Sequence, residues 1–343
     1  MQLQRLSITL SVIFLLLSPS TVWSQSQPRE RSPEQARLPF GMPHSTAPAA
    51  HQAPLAAEAQ APMVSFTFGT IDYPNGPQTV AQAINDKGEI VGLWGPDIND
   101  FRQGLPAYGF SLKGSSFKKI VYPSAPITLP FGVNSSGEIV GYYSLDPEDG
   151  SGHGFTLVGS TFSSIDYPGA QHTALVATNK GGQTLALACF SGVPACQSYS
   201  LQSGVFSAQI LYPGSAATTV YGVNNADEIV GTYSNDDVTW HGFTLISGTF
   251  TNVDYPGATD TYLTGINNSG QIVGAWDSGG VDKWGYPLTH GFLFESGTFA
   301  SFDSPYAGVN SITPWGINDK GAIVGQTIDA NEFFLGFEAT IGK

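Results

Sequence analysis

Short apolar runs of Val, Ile, Leu, Phe and Tyr follow one another from about residue 64 onwards, broken by Gly, Asn, Asp and Ser, with no sustained helical apolar spacing. Such runs predict β-strands joined by tight turns and argue against a helical repeat. One phrase returns six times: QAINDKGEIVG, FGVNSSGEIVG, VATNKGGQTLA, YGVNNADEIVG, TGINNSGQIVG and WGINDKGAIVG. Its anchors are Asn85, Asn134, Asn179, Asn224, Asn267 and Asn318, spaced by 43 to 51 residues. A period of roughly 40 to 50 residues is that of a four-stranded propeller blade.

Each unit reads as four strands. Strand a ends at the Asn, strand b is the EIVGYY text, strand c is HGFTL and strand d is TFSSIDYP. In the a–b turn Gly88, Gly137, Gly182, Gly270 and Gly321 occupy the place where a type I turn plus bulge needs left-handed backbone; Asp227 stands there in the fourth copy. Two residues before each anchor is a small residue: Ala83, Gly132, Ala177, Gly222, Gly265 or Gly316. Small side chains suit six inner strands crowding one axis.

The ends of the repeat region fix the architecture. VSFTFGTIDYP, residues 64–74, is a strand d with no a, b or c before it, and the last copy stops after strand c at FFLGFEATIGK. If the N-terminal strand completes the last blade, the ring closes without a long open edge. The expected fold is therefore all-β, a six-bladed β-propeller closed by its N-terminal strand, with a β-solenoid or sandwich as the alternative. The units resemble the probable extracellular repeat family HAF, with the form G-I-N-x-x-G-x-I-V-G, then H-x-F, then I-D-Y-P-G-A; Gly154, Gly242 and Gly291 stand where the His-Ala-Phe signature has Ala. The resemblance covers about residues 64–343 and implies a secreted, propeller-like repeat protein with no established reaction.

Candidate chemistry begins with a His that precedes an Asp by 13 residues in three copies: His153 and Asp166, His241 and Asp254, His290 and Asp303. A two-residue c–d hairpin turn at Gly159–Ser160 puts His153 opposite Asp166, and the same arithmetic pairs the other two. The first copy has Tyr108 and Val121 at these places, the third has Gln197 with Ile210 and Leu211, and the last has Leu335 with Asp72 arriving from the N-terminal strand. Three equivalent pairs on separate blades do not converge on one reacting atom, so they are expected to fix strand register rather than to catalyse.

Residues 1–24 have one Arg before an apolar run from Leu6 to Leu17, the pattern of a secretory signal peptide; the run is too short to span a bilayer. Residues 25–62, rich in Pro, Ala and Gln, are expected to form a disordered linker before a propeller domain over 63–343. The protein is thus expected to be secreted, extracellular or periplasmic, with no membrane span in the mature chain. A net charge of −14 argues against nucleic-acid partners, whose binding depends on Lys and Arg.

Repetition makes the b–c loops stand out, because they differ most between copies. They carry acids (Asp97, Asp100, Asp236, Asp237, Asp277, with Asp146, Glu148, Asp149, Asp282 and Asp329) and aromatics (Trp94, Trp240, Trp276, Trp284). Aromatic faces beside hydrogen-bond acceptors could hold a sugar; equally, polar loops are simply solvated and the Trp residues cap gaps between blades. No loop has an EF-hand pattern, and neither a metal nor a cofactor is expected. Cys189 and Cys196, the only cysteines, bracket one loop and are expected to form a disulfide. Asn134-Ser-Ser and Asn267-Asn-Ser match glycosylation sequons but lie in turns that explain the Asn. No hydrolase, phosphate-loop or dinucleotide motif is present. The sequence therefore points to a binding or structural module for polysaccharide or an extracellular protein, with a glycan-active hydrolase or lyase, using acids at the loop-bearing mouth, as the alternative.

Overall fold

The computed structural model of the protein describes residues 64–96, 106–147, 151–193, 195–281, 287–306, 311–328 and 333–342. The segments expected to be signal peptide and linker, 1–24 and 25–62, lie outside the described residues, as do the loop residues Asp97, Asp100, Glu148, Asp149, Asp282, Trp284 and Asp329. After β1 (Phe66–Ile71), blade 1 comprises β2 (Gln78–Ile84), β3 (Glu89–Gly95), β4 (Tyr108–Lys113) and β5 (Ser116–Ile120). Blade 2 is β6 (Ile127–Val133), β7 (Ile139–Ser144), β8 (His153–Val158) and β9 (Thr161–Ile165); blade 3 is β10 (His172–Thr178), β11 (Thr184–Cys189), β12 (Gln197–Gln202) and β13 (Val205–Phe206). Blade 4 is β14 (Ala217–Val223), β15 (Ile229–Ser234), β16 (His241–Ile246) and β17 (Thr249–Asn252); blade 5 is β18 (Asp260–Ile266), β19 (Ile272–Val281), β20 (Pro287–Glu295) and β21 (Thr298–Phe302). Blade 6 takes β22 (Ile312–Ile317), β23 (Ala322–Ile328) and β24 (Phe334–Ile341) from the C-terminal end.

The described residues thus form six four-stranded antiparallel sheets, and the sixth has the order β1-β24-β23-β22. β1 pairs with β24 from Phe66↔Ile341 to Ile71↔Gly336, so the chain closes its own ring as the offset strand predicts. Side-chain packing seals the same seam. Phe66 lies 4.4 Å from Phe302 and Phe68 5.8 Å from Phe337, ring to ring, covering apolar surface that would otherwise be an exposed edge.

Apolar layers lie between successive blades. Val91, Phe155 and Leu157 pack between blades 1 and 2, and Val230, Leu263 and Phe292 between blades 4 and 5. Every inner strand carries a β-bulge two to three residues before its anchor Asn, between Ala81 and Ala83 in blade 1 and at the equivalent step in the other five. The small residues follow these bulges because the strands meet there: a Cβ on Gly222 would lie 3.1 Å from the Cα of Gly265, and one on Gly316 3.2 Å from that of Ala83.

A hoop of side chains closes this end of the channel. The amide nitrogen of Asn85 donates to the carbonyl of Asn134 at 3.0 Å, Asn134 to Asn179 at 3.0 Å, and Asn179 to Asn224 at 2.8 Å. Asn224 continues to Asn267 at 3.2 Å, Asn267 to Asn318 at 3.0 Å, and Asn318 back to Asn85 at 3.1 Å, crossing the seam. The same Asn side chains accept from the backbone of their own turns, as Asn134 Oδ1 does from the amides of Ser136 and Glu138. Asp227, in left-handed backbone with φ 62°, adds a further bond by accepting from Asn179 Nδ2 at 2.8 Å. Both sequon asparagines are buried, Asn134 at 5% and Asn267 at 3% exposure, and their amide nitrogens are engaged in the hoop.

Candidate functional site

The a–b turns and the hoop occupy one face of the ring; the b–c and d–a loops occupy the other. Between them the bulge residues narrow the channel. The bulge residues Gln82, Phe131, Val176, Tyr221, Thr264 and Trp315 are all buried and line a cavity of about 90 Å³. Burial raises the Tyr221 hydroxyl well above its ordinary range. The varied loops lie at the other end, at the mouth.

Strand position sets what the mouth presents. Seven residues before the anchors stand Gln78, Ile127, His172, Ala217, Asp260 and Ser311, six different residue types at one framework position. In blades 1 to 3 the next inward position holds Val80, Leu129 and Ala174, opposite Leu93, Tyr142 and Leu187. In blades 4 to 6 it holds Thr219, Tyr262 and Thr313, opposite Thr232, Ala275 and Gln326. Of these, all but Tyr262 are buried, so the difference between the two halves lies beneath the mouth and not on its surface.

Blade 5 concentrates the charge. Asp260 and Asp277 are opposite each other in the β18–β19 register. Asp277 is only 2% exposed; its Oδ1 accepts from the Gly279 amide at 2.8 Å, while Oδ2 is buried without a hydrogen-bond partner. Asp260 Oδ1 accepts from the Trp240 amide at 2.8 Å, tying the blade 4 loop to blade 5, and the Tyr262 hydroxyl donates to the same carboxyl. Burial, with the charge of Asp277 beside it, pushes Asp260 up to about 6. Burial likewise raises Tyr262 well above its ordinary value, so it is a proton donor at neutral pH.

Of the residues the sequence singles out here, Asp277 belongs to this pair, and Trp240 reaches it through its backbone. Asp236 is engaged in its own loop, accepting from the amides of Val238 at 2.9 Å and Thr239 at 2.8 Å, which hold its carboxyl below the usual range. Asp237 is exposed with φ 59°. Trp94 stacks on Tyr73 at 4.2 Å with the Lys119 ammonium 5.3 Å from its ring, and Trp276 lies between Tyr255 at 4.2 Å and His290 at 4.5 Å. Both are packed between blades and offer no open face. Asp260 and Tyr262 were missed because they sit inside a strand; variation at a framework position was the signal that could have found them.

The histidines extend these stacks. Tyr122 lies 3.6 Å from Tyr143, which lies 5.1 Å from His153, and the blade 4 series Tyr212, Tyr233, His241 repeats it at 3.6 and 5.2 Å. His153 Nδ1 is 3.1 Å from Asp166 and His241 Nδ1 2.9 Å from Asp254, with His290 bonded to Asp303 in the same way. A carboxylate only accepts, so each Nδ1 carries the hydrogen. At Asp166 and Asp254 the chain turns into the d–a loop, whose Tyr amide donates to a Thr six residues on, Tyr167 to Thr173 at 2.9 Å and Tyr255 to Thr261 at 3.0 Å. Cys189 and Cys196 are disulfide-bonded across the two ends of the third b–c loop. Among the described residues there is no group of three or more His, Cys, Asp or Glu placed to hold a metal, and no helix long and apolar enough to cross a membrane.

No protein-family model and no curated relative matches the chain. Solved structures do resemble it. AofleA from Arthrobotrys oligospora superposes with a TM-score of 0.50 at 10% identity, covering 80% of this chain and 86% of the other. The lectin of Aleuria aurantia, a six-bladed β-propeller, gives 0.46 at 10% identity over 78% of this chain and 95% of its own. The propeller domain of the Trilobed protease of Pyrococcus furiosus gives 0.46 at 12% identity, covering 75% and 79%. At such identities the likeness is one of fold: the chain is a six-bladed β-propeller.

Proposed function

We propose that the protein is a secreted binding module whose loop-bearing mouth takes carbohydrate of the cell surface or its surroundings. The observation that carries this reading is the division of the ring: the hoop position is Asn in all six copies, whereas the mouth position is Gln, Ile, His, Ala, Asp and Ser. A scaffold kept constant at one end and varied at the other is the pattern of a binding surface. The disulfide is in keeping with an oxidising compartment.

Hydrolysis is supported less well. The Asp260–Asp277 pair has the raised acid that glycosidases use, but its members lie on neighbouring strands of one blade and not on different blades. A glycan array combined with product analysis separates the readings. Retention of intact oligosaccharide supports the binding module, and release of shorter products in a manner abolished by Asp260→Asn and Asp277→Asn overturns it.

A further inference from the structure

We propose that the Asp260–Asp277 pair is a calcium site, with the ion bridging the two carboxylates at the mouth end of blade 5. The two acids are register partners on β18 and β19, so their side chains share one face of the sheet, and Tyr262 stands on that face two residues on. Each carboxyl is already equipped as an anion. Asp260 accepts from the Trp240 amide and the Tyr262 hydroxyl, and Asp277 from the Gly279 amide, all of them donors that favour the charged form.

No described side chain supplies the balancing positive charge. Among the described residues the ion pairs join Lys113 to Glu89 and three histidines to their own Asp partners, and none involves Asp260 or Asp277. Asp277 is only 2% exposed, yet its Oδ2 has no hydrogen-bond partner. The hydroxyl next to it is already engaged: Thr289, opposite Asp277 on β20, is bonded to Ser311 Oγ at 2.6 Å and to the Ile312 carbonyl at 3.1 Å. Two adjacent carboxylates with one buried oxygen left over repel each other, and a cation between them removes that cost.

The donor atoms select the ion. Carboxylate oxygens with neither imidazole nor thiolate among them suit a hard cation. Magnesium demands near-octahedral geometry and sheds water reluctantly, whereas calcium accepts irregular sets and can meet the fixed, buried Asp277. Asp260 is only partly buried, so the ion reaches the pair from its side and leaves its remaining positions to solvent. No third acid joins the pair among the described residues, so binding should be modest, with a dissociation constant of about 0.1–1 mM, as in extracellular calcium modules. An ion here fastens β18 to β19 and, through Asp260, braces the blade 4 segment that carries Trp240. It concerns how the mouth is held and not what the mouth takes up, so it stands or falls separately from the carbohydrate reading.

Thermal unfolding of the full chain, stripped with EDTA and measured at pH 7.5 in about 150 mM NaCl, tests the site. Calcium at about 10 mM is expected to raise the melting temperature by about 3–5 °C and to saturate as a single site, with a much smaller shift from magnesium. Bound terbium(III), a luminescent substitute for calcium, should emit on excitation of the adjacent Tyr262 and be displaced by calcium. Asp260→Asn and Asp277→Asn should each lose both responses, although in EDTA they melt no lower than the natural protein because a repelling charge is gone. Asp237→Asn, at an exposed loop acid, should keep both. Absence of a calcium shift in the natural protein, the result expected of a pair that only shares a proton, overturns the proposal. A shift that survives Asp260→Asn overturns it too, by assigning the ion to other acids of a chain with net charge −14. Should either Asn variant fail to fold, the other decides.

Discussion

The two ends of the channel are built from the same six inner strands under opposite demands. At the hoop, a single side chain does three things: it accepts from its own turn, donates to the next blade and fills a buried position. Only Asn offers both a donor and an acceptor at that length, which explains why Asp, Ser or Gly, all acceptable in the turn alone, never replace it. At the mouth, seven residues earlier in each strand, no bond connects the six positions into a ring, and the residue changes from blade to blade. The difference teaches that repetition in this protein marks bonds between blades, and variation marks positions that no such ring of bonds constrains.

The comparison breaks most directly by exchanging a donor. Asn134→Asp keeps the acceptor for the turn but loses the donor to Asn179 and puts carboxylate oxygen against that carbonyl and against Glu138, whose Oε2 Asn134 now contacts at 3.1 Å. An unfolding free energy lower by ~2–4 kcal/mol is expected from urea titration at pH 7.5. Asp277→Asn, at least as buried, should instead leave stability unchanged or raised at that pH, because it removes a charge from an acid pair. Equal losses at the two ends would end the distinction.

A smaller effect sharpens it. Replacing Cys189 and Cys196 together by Ser opens a mouth loop that is closed over a separation of 7 residues. The expected cost is about 2 kcal/mol, through the unfolded chain. Amide protection in the hoop turns should fall only by that global amount, whereas protection within residues 190–195 should fall further. Uniform loss at both ends would mean that the mouth loop supports the scaffold itself.

Much of the architecture is legible in the sequence because a propeller repeats its constraints. Six phrases give six blades, and a lone strand d at one end with a missing strand d at the other gives the closure later seen between β1 and β24. The hoop was open to the same logic, yet turn chemistry alone was enough to account for each Asn locally, and the partner lies 43 to 51 residues away in most blades. The bulges leave no pattern of their own: Gln82, Phe131, Val176, Tyr221, Thr264 and Trp315 share burial in the channel, but not chemistry. Trp94 and Trp276 were legible only as alternatives: large aromatics beside loops suit either a ligand or the gaps between blades, and the Tyr73 and Tyr255 rings stacked on them favour the gaps.

The smallest expected effect concerns the His and Asp pairs, which are repeated but incompletely, in three of six blades. Partial repetition should mean a weak bond, and the structure ranks the three. Asp166 is bonded to His153 alone through its side chain, and both are substantially exposed. Asp254 also accepts from the Gly242 amide at 3.1 Å and from Asn252 at 3.0 Å. Asp166→Ala should therefore cost about 0.2–0.5 kcal/mol, and Asp254→Ala about 1 kcal/mol, in the same urea titration. The larger loss in Asp254→Ala comes from the stranded Gly242 amide, so Asp254→Asn, which keeps an acceptor, should recover part of it. If the two Ala variants lose the same amount, the hydrogen bond to His is the whole contribution, and the pairs act as interchangeable register pins after all.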